Sequence, residues 1–309
     1  MSSRITHNMM QRNVLADLNR VSDRLSKAQT KIASNKELTK PSDDPFETSR
    51  AMALRQSLAG TQQYTRNAQD AMGWAEATEQ ALGQITDEVH RARTLLVQGA
   101  SDSADPESRR SIAIELGQVI ESIKQNANAT YGGNYLFSGS ETGTAPYALG
   151  AGGDAYLGDE AGWDVTKAGV VREIGPGVSL SINTVAREFM GDGTSGGDDK
   201  LLDVLRDAVA SLNADDGASV GGTDLKRLDA NLDKLLEVRA RNGARSNRLE
   251  SAVTRLGELE ESTTKQLSET EDADIAETLI DFNSQQAAYQ AALRAGASLV
   301  QSSLMDFLR

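Results

Sequence analysis

The sequence carries an apolar heptad near each end of the chain, and these two heptads limit what it can fold into. The N-terminal heptad consists of Val14, Leu18, Val21, Leu25, Ala28 and Ile32. The C-terminal heptad consists of Ile275, Leu279, Phe282, Gln286, Tyr289, Leu293, Gly296, Val300, Ser303 and Phe307. Alternating steps of four and three place such residues along one side of an α-helix, as in a coiled-coil seam. The sequence therefore predicts one striped helical arm at each end.

Each arm alone would leave its apolar stripe in water, so each arm needs a partner. The simplest partner is the other arm, packed antiparallel because the chain leaves along one arm and returns along the other. An apolar stripe left uncovered on that pair would drive assembly with neighbouring subunits. The predicted assembly interface consists of Val14, Leu18, Val21, Leu25, Ile32, Ile275, Leu279, Phe282, Tyr289, Leu293, Val300 and Phe307.

A connector with two prolines follows the first arm. Pro41 and Pro45 should stop the first helix near residue 40, because proline cannot continue an α-helix. Asp44 is typical of an N-cap, with Pro45 as the first helical residue and Glu47 completing a capping box. We therefore predict a structural connector formed by Pro41, Asp43, Asp44 and Pro45.

The middle of the chain differs in composition from both flanks. Sixteen of the 27 glycines lie within residues 132–197, whereas the flanks are poor in glycine and helix-like. Three segments there predict short strands, namely Asn134–Gly139, Gly169–Ile174 and Val178–Asn183. We predict an α+β fold that is mainly α. In it a long helical rod, built from both chain ends as antiparallel coiled-coil arms plus a helical bundle, carries a small β-rich insert.

The same patterns divide the chain into three parts. Residues 1–40 and 273–309 are the terminal coiled-coil assembly arms, and residues 41–131 and 200–272 form a helical rod domain. Residues 132–199 form a β-rich outer domain. Within the rod, Asp105-Pro106 starts a further capped helix, residues 201–212 form a short helix, and a long helix resumes at Thr223.

Composition argues against several classes of function. The net charge of −13 is unsuited to duplex nucleic acid or an anionic membrane surface. The chain has no cysteine, no apolar signal-peptide core near its start and no apolar run long enough to span a membrane. His7 and His90 lack ligand-spaced partners, and Asp43-Asp44 is not followed by a calcium-loop pattern. We identify no candidate catalytic, cofactor-binding or metal-ligating residue, and predict a non-enzymatic protein without a cofactor.

Several segments resemble the flagellar hook-associated protein 3 family, which is related to flagellin and lies at the hook–filament junction. They are the opening helix, Ser42–Pro45, Gly133–Gly139, Ala145–Tyr147 and the stretch Arg239–Glu250 with the sequence RARNGARSNRLE. The segment Asp274–Leu304 resembles the terminal helix shared by flagellins. The likeness covers residues 1–147 and 223–309.

This resemblance implies a structural adaptor that links the hook, through hook-associated protein 1, to the flagellin filament. It implies a homo-oligomeric ring, arms that are disordered in the monomer and become helical on assembly, and an outward-facing β insert. It also implies unfolded passage through the flagellar type III export system without a cleaved signal. A dedicated export chaperone would bind the C-terminal region, and the protein would act outside the cell on the bacterial flagellum.

Two alternatives remain open. The first is a flagellin filament subunit, which the dominant band of sheared filaments would reveal. The second is a secreted enzyme that uses flagellin-like ends for export and carries its catalytic residues between positions 140 and 200. A hydrolase activity that survives deletion of both arms would support it.

The arm assignment makes a direct prediction about the monomer. Light proteolysis in dilute solution should remove roughly residues 1–40 and 270–309, because arms without partners expose their backbones, and should leave a stable helical and β core. Mass spectrometry of the digest would identify the boundaries. Full protection of both termini in a verified monomer would contradict this prediction.

Overall fold

In the computed structural model the chain is described over residues 2–150, 153–161, 169–193 and 197–307. Within those ranges, side chains are described for Met9 and for residues 12–297. The statements below concern these residues.

The chain is mainly helical. Its helices are α1 Ser2–Ser34, α2 Pro45–Gly99, α3 Pro106–Ala127, α4 Leu201–Asn213, α5 Gly217–Ser219, α6 Leu225–Glu271 and α7 Ile275–Phe307. Its strands are β1 Thr130–Tyr131, β2 Asn134–Tyr135, β3 Val171–Gly175 and β4 Val178–Ser181. The predicted fold class, mainly α with a small β-rich insert, is confirmed.

The chain forms two compact units. The terminal unit comprises Met1–Gly60 and Leu259–Arg309, and the central unit comprises Thr61–Glu258. The long helices α2 and α6 each contribute residues to both units. The three-part division expected from composition stays a prediction.

One hydrophobic core holds the central unit together. From α2 it receives an inward stripe at helical spacing, formed by Trp74, Leu82, Ile85, Val89 and Leu96. From α3, α4 and α6 it receives Leu116, Ile120, Ile123, Leu202, Leu205, Leu228, Leu235 and Leu249. Full burial of one such side chain is worth about 1.5–3 kcal/mol relative to exposure, so this core is the main source of the unit's stability.

The predicted helix starts in the central unit agree closely with the structure. Asp105 caps α3, and its carboxylate accepts a hydrogen bond from the Ser108 amide at 2.7 Å. Hydrogen bonding from the Ser108 side chain and amide holds the pKa of Asp105 below its usual range. The helix expected to resume at Thr223 begins instead at Leu225, after a single π-helical turn over Val220–Asp224.

The insert contains less regular β structure than the alternation predicts. The hairpin of β3 and β4 is confirmed, with antiparallel pairing of Arg172 with Leu180 and Gly177 in the left-handed region at φ 67°. The strand expected over Asn134–Gly139 is wrong beyond Tyr135, where β2 ends. The next residues turn inward instead, and Phe137 meets the Phe189 ring edge-on at 6.1 Å.

A buried ion cluster ties the insert to the helices of the central unit. Lys124 is fully buried, and its Nζ lies 3.2 Å from both the Glu121 and the Asp154 carboxylates. Arg206 donates to Asp154 through two nitrogens, at 2.6 and 2.9 Å. Burial alone would raise the pKa of Asp154, but Arg206 and Lys124 hold it below its usual range. Because each buried charge is paired, the cluster tolerates its low exposure.

Gly139 offers a specific test of packing in the insert. It has φ 72°, and a Cβ at this position would overlap Asp159 well inside van der Waals contact. Gly139→Ala should lower the free energy of unfolding by about 3 kcal/mol, since backbone strain and a steric clash add together. Denaturant unfolding followed by circular dichroism would measure the loss.

Gly133→Ala is the matched control, because Gly133 also has positive φ, 83°, but an added Cβ there meets nothing within 4 Å. It should lose only about 1 kcal/mol, the cost of the left-handed conformation alone. Equal losses for the two variants would show that the contact with Asp159 does not matter.

Candidate assembly arms and their connectors

The two arms pack against each other within the terminal unit, as predicted. A Cβ placed on Gly296 of α7 would lie 3.4 Å from Cγ1 of Val14 in α1. Near the other end of the pair, Lys36 and Asp272 form an antiparallel bridge. Residue numbers thus fall along one helix as they rise along the other, and α1 and α7 are antiparallel.

On α1 the predicted seam is largely the side of the helix that is shielded from water. Val14, Leu18, Val21 and Leu25 are partly buried, and Ala28 is 2% exposed. Ile32, at the root of the arm, is 37% exposed. The heptad read from the sequence therefore describes the inner face of α1 along most of its described length.

On α7 the shielded side is rotated from the predicted seam. The least exposed positions, here called the paired stripe, are Thr278, Phe282, Gln285, Tyr289, Ala292 and Gly296. They keep steps of four and three but share only Phe282, Tyr289 and Gly296 with the predicted seam. The predicted seam differs from the paired stripe because it was chosen for its apolar residues, whereas every second position of the paired stripe is small or polar.

The remaining predicted residues of α7 lie on the surface beside the paired stripe. Ile275, Leu279 and Leu293 are 57%, 43% and 45% exposed, and Gln286 is exposed between them. At 100° per residue these four positions fall within about 40° around the helix axis. We call them the exposed stripe. Val300 and Phe307 belong to the predicted interface, but their side chains lie outside the described residues.

The connector after α1 begins earlier than the prolines predict. α1 ends at Ser34 rather than near residue 40, because Asn35 adopts the left-handed conformation at φ 56° that commonly ends a helix. Asparagine tolerates that conformation better than most residues. No helix continues through Pro41, as predicted, but α1 already ends before Asn35.

Within the connector the two aspartates have separate roles. Asp43 closes a turn, accepting hydrogen bonds from the Thr39 hydroxyl at 2.9 Å and the Lys40 amide at 3.0 Å. The Thr39 bond holds the pKa of Asp43 below its usual range. Asp44 caps α2 by accepting from the amides of Phe46 and Glu47, at 2.9 and 3.0 Å.

The two prolines of the connector are exposed to solvent. Pro41 is exposed in the turn, and Pro45 is exposed as the first residue of α2. The predicted return bond of the capping box is not formed: among the described residues, Glu47 makes no hydrogen bond to the Asp44 amide. Its carboxylate instead lies 3.8 Å from Arg50.

The structure shows a further set of residues that sequence reasoning missed. Backbone hydrogen bonds join the connector after α1 to a second connector, the end of α6 and the short segment before α7. They run from the Glu37 amide to the Glu271 carbonyl at 2.7 Å and from the Ala273 amide to the Asn35 carbonyl at 3.2 Å. Only 4% of Glu271 is exposed. Its carboxylate accepts from Lys36 Nζ at 2.6 Å and also pairs with Arg55.

Lys36 also contacts Asp272 at 2.6 Å, which completes a four-residue cluster that we call the clasp: Lys36, Arg55, Glu271 and Asp272. Hydrogen bonds to Asp272 and Glu271 raise the pKa of Lys36. Those from Lys36 and Ser268 lower the pKa of Asp272. Charged residues at connectors ordinarily face solvent, so no spacing in the sequence distinguishes these four.

The second arm, predicted over residues 273–309, begins in the structure with α7 at Ile275. Asp274 precedes α7 and accepts hydrogen bonds from the amides of Ala276 and Glu277, at 2.8 and 3.3 Å. Among the described residues there is no group of three or more His, Asp or Glu that could hold a metal ion. No helix in that part of the chain is long and apolar enough to cross a membrane.

Comparison with known proteins bears on these arms directly. The model of the bacterial flagellin N-terminal helical region matches residues 5–142. The model of the bacterial flagellin C-terminal helical region matches residues 225–308. Together they cover more than half of the chain, which therefore belongs to the flagellin family of bacterial flagellar structural proteins.

Two relatives and one solved structure show the similarity in more detail. The chain is 28% identical to flagellar hook-associated protein 3 of Escherichia coli K12, over 88% of this chain and 90% of the relative. It is 26% identical to a flagellar filament 31.3 kDa core protein of Treponema maltophilum, over 92% of each chain. The structure of a flagellar hook-associated protein from Vibrio parahaemolyticus shares the fold, with a TM-score of 0.65 and 22% identity over 74% of this chain and 100% of that one.

The connector makes a prediction about the start of α2. Asp44→Ala should reduce the stability of the first turn by about 1 kcal/mol, because two amides lose their acceptor. Hydrogen exchange at the amides of Phe46 and Glu47 would show the loss. Glu47→Ala should change their protection by no more than a few tenths of a kcal/mol, and an equal effect of both variants would contradict the capping assignment.

Proposed function

We propose that this protein is a structural junction subunit of the bacterial flagellum that links the hook to the flagellin filament. The single observation that carries the proposal is the exposed stripe of α7. Ile275, Leu279 and Leu293 stand in water beside a stripe already paired with α1. A helix with two adjacent faces of this kind can join its own chain on one side and a neighbouring subunit on the other.

The proposed mechanism is assembly by burial of this stripe. Each Leu or Ile that passes from solvent into a contact stabilises it by about 1.5–3 kcal/mol at full burial, and partial exposure in the free chain reduces that gain. Repetition around a homo-oligomeric ring would multiply a modest contact into a rigid joint. In this proposal hook-associated protein 1 lies on the hook side and flagellin on the filament side.

A need to protect the arms before assembly follows from the same surface. An arm with an uncovered apolar stripe is prone to aggregate, so we propose that a dedicated chaperone covers the C-terminal region before assembly. The chain would pass unfolded through the flagellar type III system without a cleaved signal, and contact with its partners would then stabilise the paired arms. It would then act outside the cell as a non-enzymatic component.

A filament subunit is the second candidate, and the similarity to the Treponema filament core protein favours it. The decisive experiment is location. Immunogold labelling of a tagged chain on detached flagella should mark the hook end alone if the chain is a junction subunit. Labelling along the whole filament would overturn the junction proposal and support the filament role.

The exposed stripe makes a prediction about assembly. Leu293→Asp should lower incorporation into flagella about tenfold or more, because an ionised carboxylate would have to be buried where an apolar side chain is expected. Pairing of α1 with α7 should persist, since Leu293 lies outside the paired stripe. Quantitative immunoblotting of purified flagella would measure incorporation.

Two further variants complete this test. Ser284→Asp places the same charge on an exposed position of α7 about 180° from the exposed stripe, and incorporation should stay near that of the unchanged chain. Phe282→Asp should instead disrupt the paired stripe and reduce both arm pairing and incorporation. Normal incorporation of both Leu293→Asp and Phe282→Asp would rule out the arms as the assembly surface.

A further inference from the structure

The apolar pattern of the arms is nearly the same from one heptad to the next. On α1, Val14 and Leu18 are followed seven residues later by Val21 and Leu25. If α1 slid along α7 by one heptad, Val21 and Leu25 would occupy the sites that the identical residues Val14 and Leu18 had left, and two further apolar residues, Ala28 and Ile32, would follow them. The seam of α1 therefore distinguishes poorly between the native register and a slipped one.

The first four positions of the paired stripe of α7 have a similar ambiguity. Phe282 and Tyr289 are seven residues apart and present rings of similar size, while Thr278 and Gln285 are both polar. Small and polar inward residues also contribute little packing energy that could favour one register over another. A unique register therefore requires a contact outside the seam.

The clasp is such a contact, and it lies at the root of the arms. A slip of one heptad would move α1 by about 10 Å along α7. Lys36 Nζ, 2.6 Å from Glu271 in the native register, would then be out of reach. The bridge between Lys36 and Asp272 would break as well. Glu271 would keep Arg55 alone while remaining almost wholly buried, which is a costly arrangement for a carboxylate.

We propose that the clasp, with Glu271 as its positioning residue, sets the register in which α1 and α7 pair. The seam supplies attraction between the arms, and the clasp selects which residues face each other. The inference concerns contacts within one chain, so it holds independently of the partner that the exposed stripe binds.

Because the chain has no cysteine, pairs of introduced cysteines in the full-length chain can test this proposal without competing thiols. The native reporter is Val14→Cys with Gly296→Cys, two positions that are in contact across the arms. The slipped reporter is Val21→Cys with Gly296→Cys. In the native register these two are offset by seven residues, about 10 Å along the helix, which exceeds the Cα separation that a disulfide allows.

Each reporter is oxidised under mild conditions, and the disulfide-bonded fraction is measured by non-reducing electrophoresis and peptide mass spectrometry. With an intact clasp, the native reporter should form its disulfide at least about tenfold more than the slipped reporter. With Glu271→Gln, or with Lys36→Met, that ratio should fall about tenfold as the slipped reporter gains.

Lys31→Met is the matched control. It removes a neighbouring ion pair with Glu37 in which both side chains are at least one-third exposed, so the ratio should not change. Far-UV circular dichroism would check that every variant keeps its helix content. Equal formation of both reporters with an intact clasp, or an unchanged ratio in both clasp variants, would overturn the proposal.

Discussion

Glu271 is a carboxylate almost wholly removed from water, and cations from two other segments neutralise it. Lys36 lies in the connector after α1, and Arg55 lies in the early turns of α2. Since a buried charge without partners is strongly destabilising, both segments are held where their cations reach this one oxygen pair. The clasp thereby brings the roots of the two arms together, and in our proposal it sets the register in which the arms pair.

The arms and the central unit are stabilised by different means. In the central unit, side chains such as Leu82, Ile120 and Leu235 are fully enclosed, so that unit is stabilised by its own core. In the arms the inward residues are mostly only partly buried, and the paired stripe includes Thr278 and Gln285. Two helices alone cannot enclose a core, so the arm pair gains less from folding by itself and more from contact with another surface.

The sequence predicts best what depends on local chemistry. Asp44 and Asp105 were found as caps because a short acid ahead of a helix accepts from its free amides. The inward face of α7 was predicted less well, because the positions that were missed, Thr278, Gln285 and Ala292, are polar or small and carry little apolar signal. The clasp could not be found at all: Lys36 and Glu271 are 235 residues apart, and only the folded chain brings these connectors together.

Charge explains why the assembly surface should be apolar. Each chain carries a net charge of −13, so two copies repel each other. Dissolved ions screen this repulsion beyond about 8 Å at physiological ionic strength, so it acts mainly at shorter distances. A stable contact between copies therefore needs a short-range attraction that acts inside that distance. The exposed stripe fits this requirement, because Ile275, Leu279 and Leu293 are apolar and Gln286 between them is uncharged. In the proposed assembly, the net charge would oppose non-specific association of separate chains, and the stripe would supply attraction only where two surfaces meet closely.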